Sequence, residues 1–193
     1  GYDILKKFLK EYWDNYSSSF LITHSFLYDL YKEDLEISEE GIIYVPVGEK
    51  SKSFKEVIRI SRELAKRGAD RKSAIFAFGG GVIGDLTGFV ASIYMRGIRY
   101  IQIPTTLLAQ VDSSIGGKTG INIKEGKNLI GTFYHPDAVI IDVKTLNTLP
   151  EREYRSGIAE VIKYGVIMNQ NLFNFLEENA ASVLNKNIDL SLI

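Results

Sequence analysis

The chain has no cysteine, four prolines, one tryptophan and two histidines, and no excess of either charge. Without thiols there are no disulfides and no thiolate metal sites. With 23 basic against 24 acidic residues the net charge is −1, so no global field draws in nucleic acid or an anionic membrane. Any anion must be held by local groups. No uncharged stretch reaches the roughly 20 residues that span a bilayer. These absences fit a cytoplasmic address. They exclude secreted disulfide scaffolds, helical membrane proteins and basic nucleic-acid binders.

What remains is a chain of 193 residues, 45% apolar and 24% charged, enough for one domain or one domain plus part of another. The opening "GYDILKKFLKEYW" carries Ile4, Leu5, Phe8, Leu9, Tyr12 and Trp13 at helical spacing, an amphipathic helix and not a signal peptide. The sequence begins without Met and ends in "NKNIDLSLI", and both ends are expected to be cuts in a longer protein, with the larger loss C-terminal.

Short β-branched or aromatic runs read as strands: "SFLIT" (19–23), "GIIYVPV" (41–47), "SAIFAF" (73–78), "IRYIQI" (98–103) and "AVIID" (138–142). Between them Phe54, Val57, Ile58, Ile60, Ser61 and Leu64 mark a helix stopped at Gly68, and a second helix runs from about Val82 to Met95. Alternation of this kind implies an α/β fold with a Rossmann-like parallel sheet. From Glu151 the strand signal ends and the pattern is helical throughout, so a boundary is expected near Pro150. Residues 1–150 then form an α/β domain, its N-terminal edge incomplete, and 151–193 the first helices of an all-helical one. There is no internal repeat, low-complexity tract or charge block.

"FGGGVIGD" places Gly79, Gly81 and Gly84 at GxGxxG spacing between a strand and a helix, the context of a dinucleotide fingerprint. A tight βα turn calls for the same glycines. The ribose-binding acid usual about 20 residues further on is absent, since Pro104, Thr105 and Thr106 stand there, which argues against a standard Rossmann dehydrogenase. Glu49 and Lys52 in "PVGEKSK" follow a strand end and can supply an acidic ribose partner, or simply form a solvated loop. "SSIGGKTG" is not a P-loop, because Asp112 occupies the position of its first glycine. Pro104 to Gly131 reads as a long irregular segment with Asp112, Lys118, Lys127 and Asn128, able to bind a phosphate or polyol or to remain a lysine-bearing loop.

In "GIAEVIKYG" (157–165) Glu160 and Lys163 lie one turn apart in a helix with apolar residues on nearly every face. A helix apolar all round is buried, and charges within it must be paired or bound to a metal. The two are read either as a structural ion pair or as parts of a site. Catalytic zinc takes three protein ligands, and nothing in their spacing ties His24 or His135 to Glu160; both histidines read as partly exposed.

From Phe78 to Gly165 these segments, in this order, resemble the 3-dehydroquinate synthase family of the sugar phosphate cyclase superfamily. The match is nearly continuous through "FGGGVIGDLTGFVASIYMRGIRYIQIPTTLLAQVDSSIGGKTGIN" and "GKNLIGTFYHPDAVIIDVKTLNTLPEREYRSGIAEVIKYG". The resemblance implies an NAD-binding α/β domain, a helical metal-binding domain and an active site between them. It places Glu49 and Lys52 at the adenosine ribose, Gly80, Gly81 and Val82 at the pyrophosphate and Asp85 on the nicotinamide side. Thr105, Thr106, Lys118, Lys127, Thr145, Leu146, Asn147 and Thr148 complete the cofactor contacts. It further implies a substrate site with Asp112, Lys118, Asn128 and Lys163, Glu160 as first ligand of a divalent metal (zinc, or cobalt), and Arg96 reaching across a homodimer to the partner's substrate phosphate. His24 departs from the asparagine common at that position near the adenine. The implied reaction converts 3-deoxy-D-arabino-heptulosonate 7-phosphate to 3-dehydroquinate and phosphate through transient oxidation by NAD, elimination, re-reduction and aldol closure. Another NAD-dependent sugar phosphate cyclase and a non-catalytic NAD-binding module, or a relative of the polyol dehydrogenases, are the alternative readings. The chain alone is expected to be inactive, its metal ligands incomplete.

Overall fold

A computed structural model describes residues 4–192; Gly1, Tyr2, Asp3 and Ile193, which belong to the terminal stretches quoted above, lie outside the described residues. Helix α1 (Ile4–Trp13) buries Leu5 and Leu9, one turn apart, as its amphipathic pattern predicts. It leads into β1 (Ser19–Thr23), α2 (Ser25–Leu35), β2 (Ile42–Tyr44), α3 (Phe54–Lys66), β3 (Ala74–Gly79), α4 (Gly81–Ile93) and β4 (Arg99–Pro104). A short β7 (Ala138–Val139) completes a five-stranded parallel sheet of order β2-β1-β3-β4-β7.

Both faces of the sheet are covered, which is why its strands read as continuous apolar runs. Alternate residues go to opposite sides. Phe20 and Ile22 of β1 with Ile75 and Ala77 of β3 pack toward α3 and α4, around Val57, Ile60, Leu64, Leu86 and Val90. Leu21, Phe76 and Phe78 pack toward α1 and α2, around Leu9, Leu27, Tyr31 and Leu35. Helix α3 starts at Ser53, whose hydroxyl accepts from the Glu56 amide, and Gly68 terminates it at φ +77°, where the Ala69 amide reaches back to the Leu64 carbonyl. Helix α4 ends before Met95, contrary to the periodicity: Met95, Arg96 and Gly97 all have positive φ (49°, 72° and 121°).

Two sequence expectations change here. The runs 41–47 and 138–142 give shorter strands than expected, because only residues 42–44 and 138–139 find sheet partners. The segment 104–131 is not irregular: it holds a π-helical turn (Ala109–Ser113) and all but the last two residues of an antiparallel hairpin of β5 (Lys118–Ile123) and β6 (Gly126–Phe133). The hairpin lies on α4 at a glycine, since a Cβ at Gly88 would come within 2.5 Å of the Thr119 methyl. The helical tail consists, as expected, of several helices, divided at Asn169 and Asn179 into α5 (Glu151–Met168), α6 (Gln170–Glu178) and α7 (Ala180–Leu184).

Helix α5 is not buried all round. Tyr154, Gly157, Ile158, Val161 and Gly165 form its inner stripe, whereas Ile162, Val166, Ile167 and Met168 are exposed, and with them Lys163. The apolar residues exceed what one face can cover. A third core of Leu107, Leu146, Tyr154, Ile158, Val161, Leu176 and Val183 straddles Pro150, drawing Leu107 and Leu146 from before it. Contact is close where α5 meets the residues leading into the π-helical turn: a Cβ on Gly157 would stand 2.6 Å from Leu107 Cβ and 2.8 Å from the Leu108 amide nitrogen. Gly157→Ala should therefore destabilise the protein by about 1–3 kcal/mol through overpacking, read as a lower urea midpoint. An unchanged midpoint would show that α5 is not seated in this way.

Candidate functional site

In a doubly wound sheet ligands bind beyond the carboxyl ends of the strands, where the strand order reverses. Here the reversal falls between β1 and β3, whose ends are tied by a 2.7 Å hydrogen bond from the Thr23 hydroxyl to the Phe78 carbonyl. A cleft of about 640 Å³ opens at that point, lined by His24 after β1 and by Gly80, Gly81 and Val82 after β3. A Cβ on Gly80 would lie 2.9 Å from the Thr106 methyl, and one on Gly81 3.1 Å from the Ser113 hydroxyl. Only glycine lets these loops close together behind the start of α4. The first N–H groups of a helix have no intrahelical partner and sit at the positive dipole end. Beside them the buried Ser113 Oγ has no hydrogen-bond partner. Open amides, a close backbone approach and an unpaired hydroxyl fit the pyrophosphate of a dinucleotide.

Glu49 opens a short 3-10 turn (Glu49–Ser51) after β2, Lys52 directly follows it, and both line this cleft. Lys52 is not a solvated loop lysine. Its side chain is 4% exposed, with Nζ 2.5 Å from Asp85 Oδ2 on α4 and 2.5 Å from Asn128 Oδ1 on β6. Burial pushes the Asp85 carboxyl above its ordinary range, and the Lys52 ammonium beside it opposes that rise. Thr105, Thr106, Lys127, Thr145 and Thr148 complete the set of predicted cofactor residues that share the cleft. The Thr145–Thr148 segment is held by Tyr31, whose hydroxyl meets the Thr148 hydroxyl, and by Gln110, whose amide donates to Thr145 Oγ1 at 3.0 Å.

A second cavity, about 460 Å³, adjoins the first and shares Asp85, Asp112, Ser113 and Asn128 with it. Lys118 lines this second cavity and not the dinucleotide cleft, so the structure sets it with Asp112 and Asn128. The exposed side chains Leu129 and Phe133 form part of its rim. Asp112, at the π-helical turn, accepts a 3.0 Å hydrogen bond from the Tyr164 hydroxyl of α5, a bond that raises the Tyr164 phenol pKa.

Other predicted residues do not converge. Leu146 is buried in the third core and Asn147 is exposed, because the 3-10 turn Val143–Asn147 directs only Thr145 toward the cleft. Arg96 is exposed and lines neither cavity. Lys163 and Glu160 form an ion pair with each other, 48% and 19% exposed, and neither lines a cavity. Among the described residues no three His, Asp or Glu side chains converge, so Glu160 alone does not constitute a metal site. His24, expected to be partly exposed, is 7% exposed; its Nδ1 lies 2.8 Å from the Val45 carbonyl and burial lowers its pKa. His135 is exposed, its ring packed over Gly117. Sequence reasoning missed Ser113, Asn122 and Tyr164, which lie inside the quoted motifs but owe their roles to contacts far along the chain.

The family model described as 3-dehydroquinate synthase N-terminal matches residues 42–156. The 3-dehydroquinate synthase of Dictyoglomus thermophilum is 92% identical over 190 residues, which are 98% of this chain and 54% of that protein. The chain thus spans about half the length of the curated relatives it matches. Among solved structures, 2-epi-5-epi-valiolone synthase from Streptomyces hygroscopicus subsp. jinggangensis, with NAD+ and Zn2+ bound, superposes with a TM-score of 0.81 at 33% identity, covering 89% of this chain and 50% of that one. A 2-deoxy-scyllo-inosose synthase complexed with carbaglucose-6-phosphate, NAD+ and Co2+ gives 0.75 at 30% identity, over 84% and 46%.

Lys52→Met removes the partner of a mostly buried carboxylate. Since Asp85 keeps some exposure, the loss should fall at the lower end of the roughly 3–5 kcal/mol for breaking a buried pair. The variant's Asp85 pKa rises further, so the carboxyl is neutralised at a higher pH and the deficit shrinks as pH falls from 7 toward the carboxylate range. Urea unfolding at several pH values reads both effects. A loss below about 1 kcal/mol, the size of an exposed pair, would contradict the burial argument.

Proposed function

The chain belongs to the 3-dehydroquinate synthase family, and we propose that, within the complete protein, it supplies the NAD cleft and part of the substrate site of a 3-dehydroquinate synthase. The observation that carries this reading is the common wall of the two cavities: Asp85, Asp112, Ser113 and Asn128 face both, so a dinucleotide in one ends beside a sugar phosphate in the other. Bound NAD supplies a reversible hydride acceptor for one ring hydroxyl of 3-deoxy-D-arabino-heptulosonate 7-phosphate. The work of these residues is placement. Glu49 accepts the adenosine ribose hydroxyls. The first amides of α4 take the pyrophosphate, and Thr105, Thr106, Lys127, Thr145 and Thr148 line its course. Lys118 and Asn128 hold the substrate's polar groups, with Lys118 offering a point charge to an anionic oxygen. Asp112, oriented by Tyr164, accepts a hydrogen bond from a substrate hydroxyl.

Arg96, exposed at the end of α4, is proposed to face a second copy in a homodimer. Glu160 is offered as one ligand of a divalent ion, zinc or cobalt, and Lys163 as a substrate contact once that carboxylate is engaged elsewhere. Among the described residues no group of three possible donors gathers around Glu160, so the metal carries no step here. A related cyclase acting on a different sugar phosphate would use the same cleft, and the two solved cyclases above keep that second reading in view.

The direct test incubates the full-length protein with NAD, zinc and 3-deoxy-D-arabino-heptulosonate 7-phosphate and follows phosphate release and 3-dehydroquinate formation. Turnover supports the reading; no product from this substrate but turnover of another sugar phosphate replaces it with the second. In the same protein Glu160→Ala should lower the zinc retained after gel filtration and leave NAD affinity within about twofold, since a ligand and a cleft residue are different things. Equal loss of zinc and NAD would remove Glu160 from the metal.

A further inference from the structure

Asn122 is absent from the roles set out above, yet it touches three of their bearers. Its Nδ2 donates to Glu49 Oε1 at 2.8 Å, its Oδ1 accepts from the Asn128 amide at 2.8 Å, and its own amide donates to the Lys52 carbonyl at 2.9 Å. It sits where the β5–β6 register shifts: Ile121 pairs with Ile130 and Ile123 with Gly126, so Asn122 alone faces residues 127–129 of β6. The amide orientation is fixed by its neighbours: reversed, its oxygen would face the Glu49 carboxylate and its NH2 the Asn128 N–H. No other side chain of this size gives a donor at one end and an acceptor at the other. Asn128 itself is held at φ +57°, a conformation that a non-glycine residue adopts rarely, and its Oδ1 meets Lys52 Nζ.

We infer that Asn122 is a positioning residue that fixes Glu49 and Lys52, on the cofactor side, in a set relation to Asn128, on the wall shared with the substrate-side cavity. It occupies one oxygen of Glu49 and leaves the other for a ligand hydroxyl. It also pins the backbone that presents the Asn128 side chain. This role rests on the reading of the cleft as an NAD site, but the contact itself does not.

The test uses the full-length protein and five forms: wild type, Asn122→Ala, Asn122→Asp, Glu49→Gln and the Asn122→Asp/Glu49→Gln pair. Calorimetry measures NAD affinity, and urea unfolding measures stability in parallel. Asn122→Ala removes a hydrogen bond to a charged group and should weaken NAD binding by about tenfold. Asn122→Asp keeps the acceptor for the Asn128 amide but sets a carboxylate against Glu49, and should weaken it further. The pair restores a donor facing an acceptor with the roles exchanged, so it should bind NAD several-fold better than Asn122→Asp alone. If affinity merely follows the unfolding midpoint across the single variants, or the losses in the pair are additive, the inference is overturned. Should the wild type bind no NAD, the cofactor reading fails separately. Unfolding then decides: a midpoint recovered in the pair upholds the Asn122–Glu49 coupling, and an unrecovered one overturns it.

Discussion

A buried ammonium determines much of this architecture. Lys52 leaves water almost completely, and a desolvated charge persists only with a counter-charge and further hydrogen bonds around it. Asp85 supplies the first from α4 and Asn128 the second from the hairpin, while Lys52 itself belongs to the segment after β2. Three elements that are distant in sequence are thereby required at one point. The same requirement draws Glu49 and Asn122 into the group, because the turn that buries Lys52 also carries Glu49. The wall between the two cavities is the visible result, since Asp85 and Asn128 belong to both.

How far the sequence revealed this depends on the range of the interactions. Strands β1, β3 and β4 were legible because they are covered on both faces, so their central residues are buried and mostly apolar. The hairpin was not, because β6 has no buried residue, is exposed at three positions in a row (Lys127, Asn128 and Leu129) and begins at a glycine, which dilutes a strand pattern to the level of a loop. Helix α5 was misread in the opposite sense: apolar residues on all sides suggested burial, yet the described chain covers only the stripe through Tyr154, Ile158 and Val161.

The site shows the same division. Gly80 and Gly81 could be placed from local spacing because their role is local, the tight passage from β3 into α4. Glu49, Lys52, Thr145 and Thr148 could not be joined to them by spacing, and only the family resemblance brought them together before the fold did. Leu146 and Asn147 were included by continuity of that stretch, and a 3-10 turn, which points successive side chains about a third of a revolution apart, separates them from Thr145. Asn122 has no sequence signal of its own: its function depends on a shift of register and on partners 73 and 6 residues away.

Helix α4 is followed by three consecutive residues, Met95, Arg96 and Gly97, held at positive φ, which for the two non-glycine residues costs on the order of 1–3 kcal/mol each and persists only where the surroundings impose it. That cost is met on folding, before any ligand arrives. If Arg96 meets an anion as proposed, only the arginine side-chain torsions have to be frozen and not the main chain beneath them, so the entropy lost on capture is smaller than for a guanidinium carried on a flexible loop.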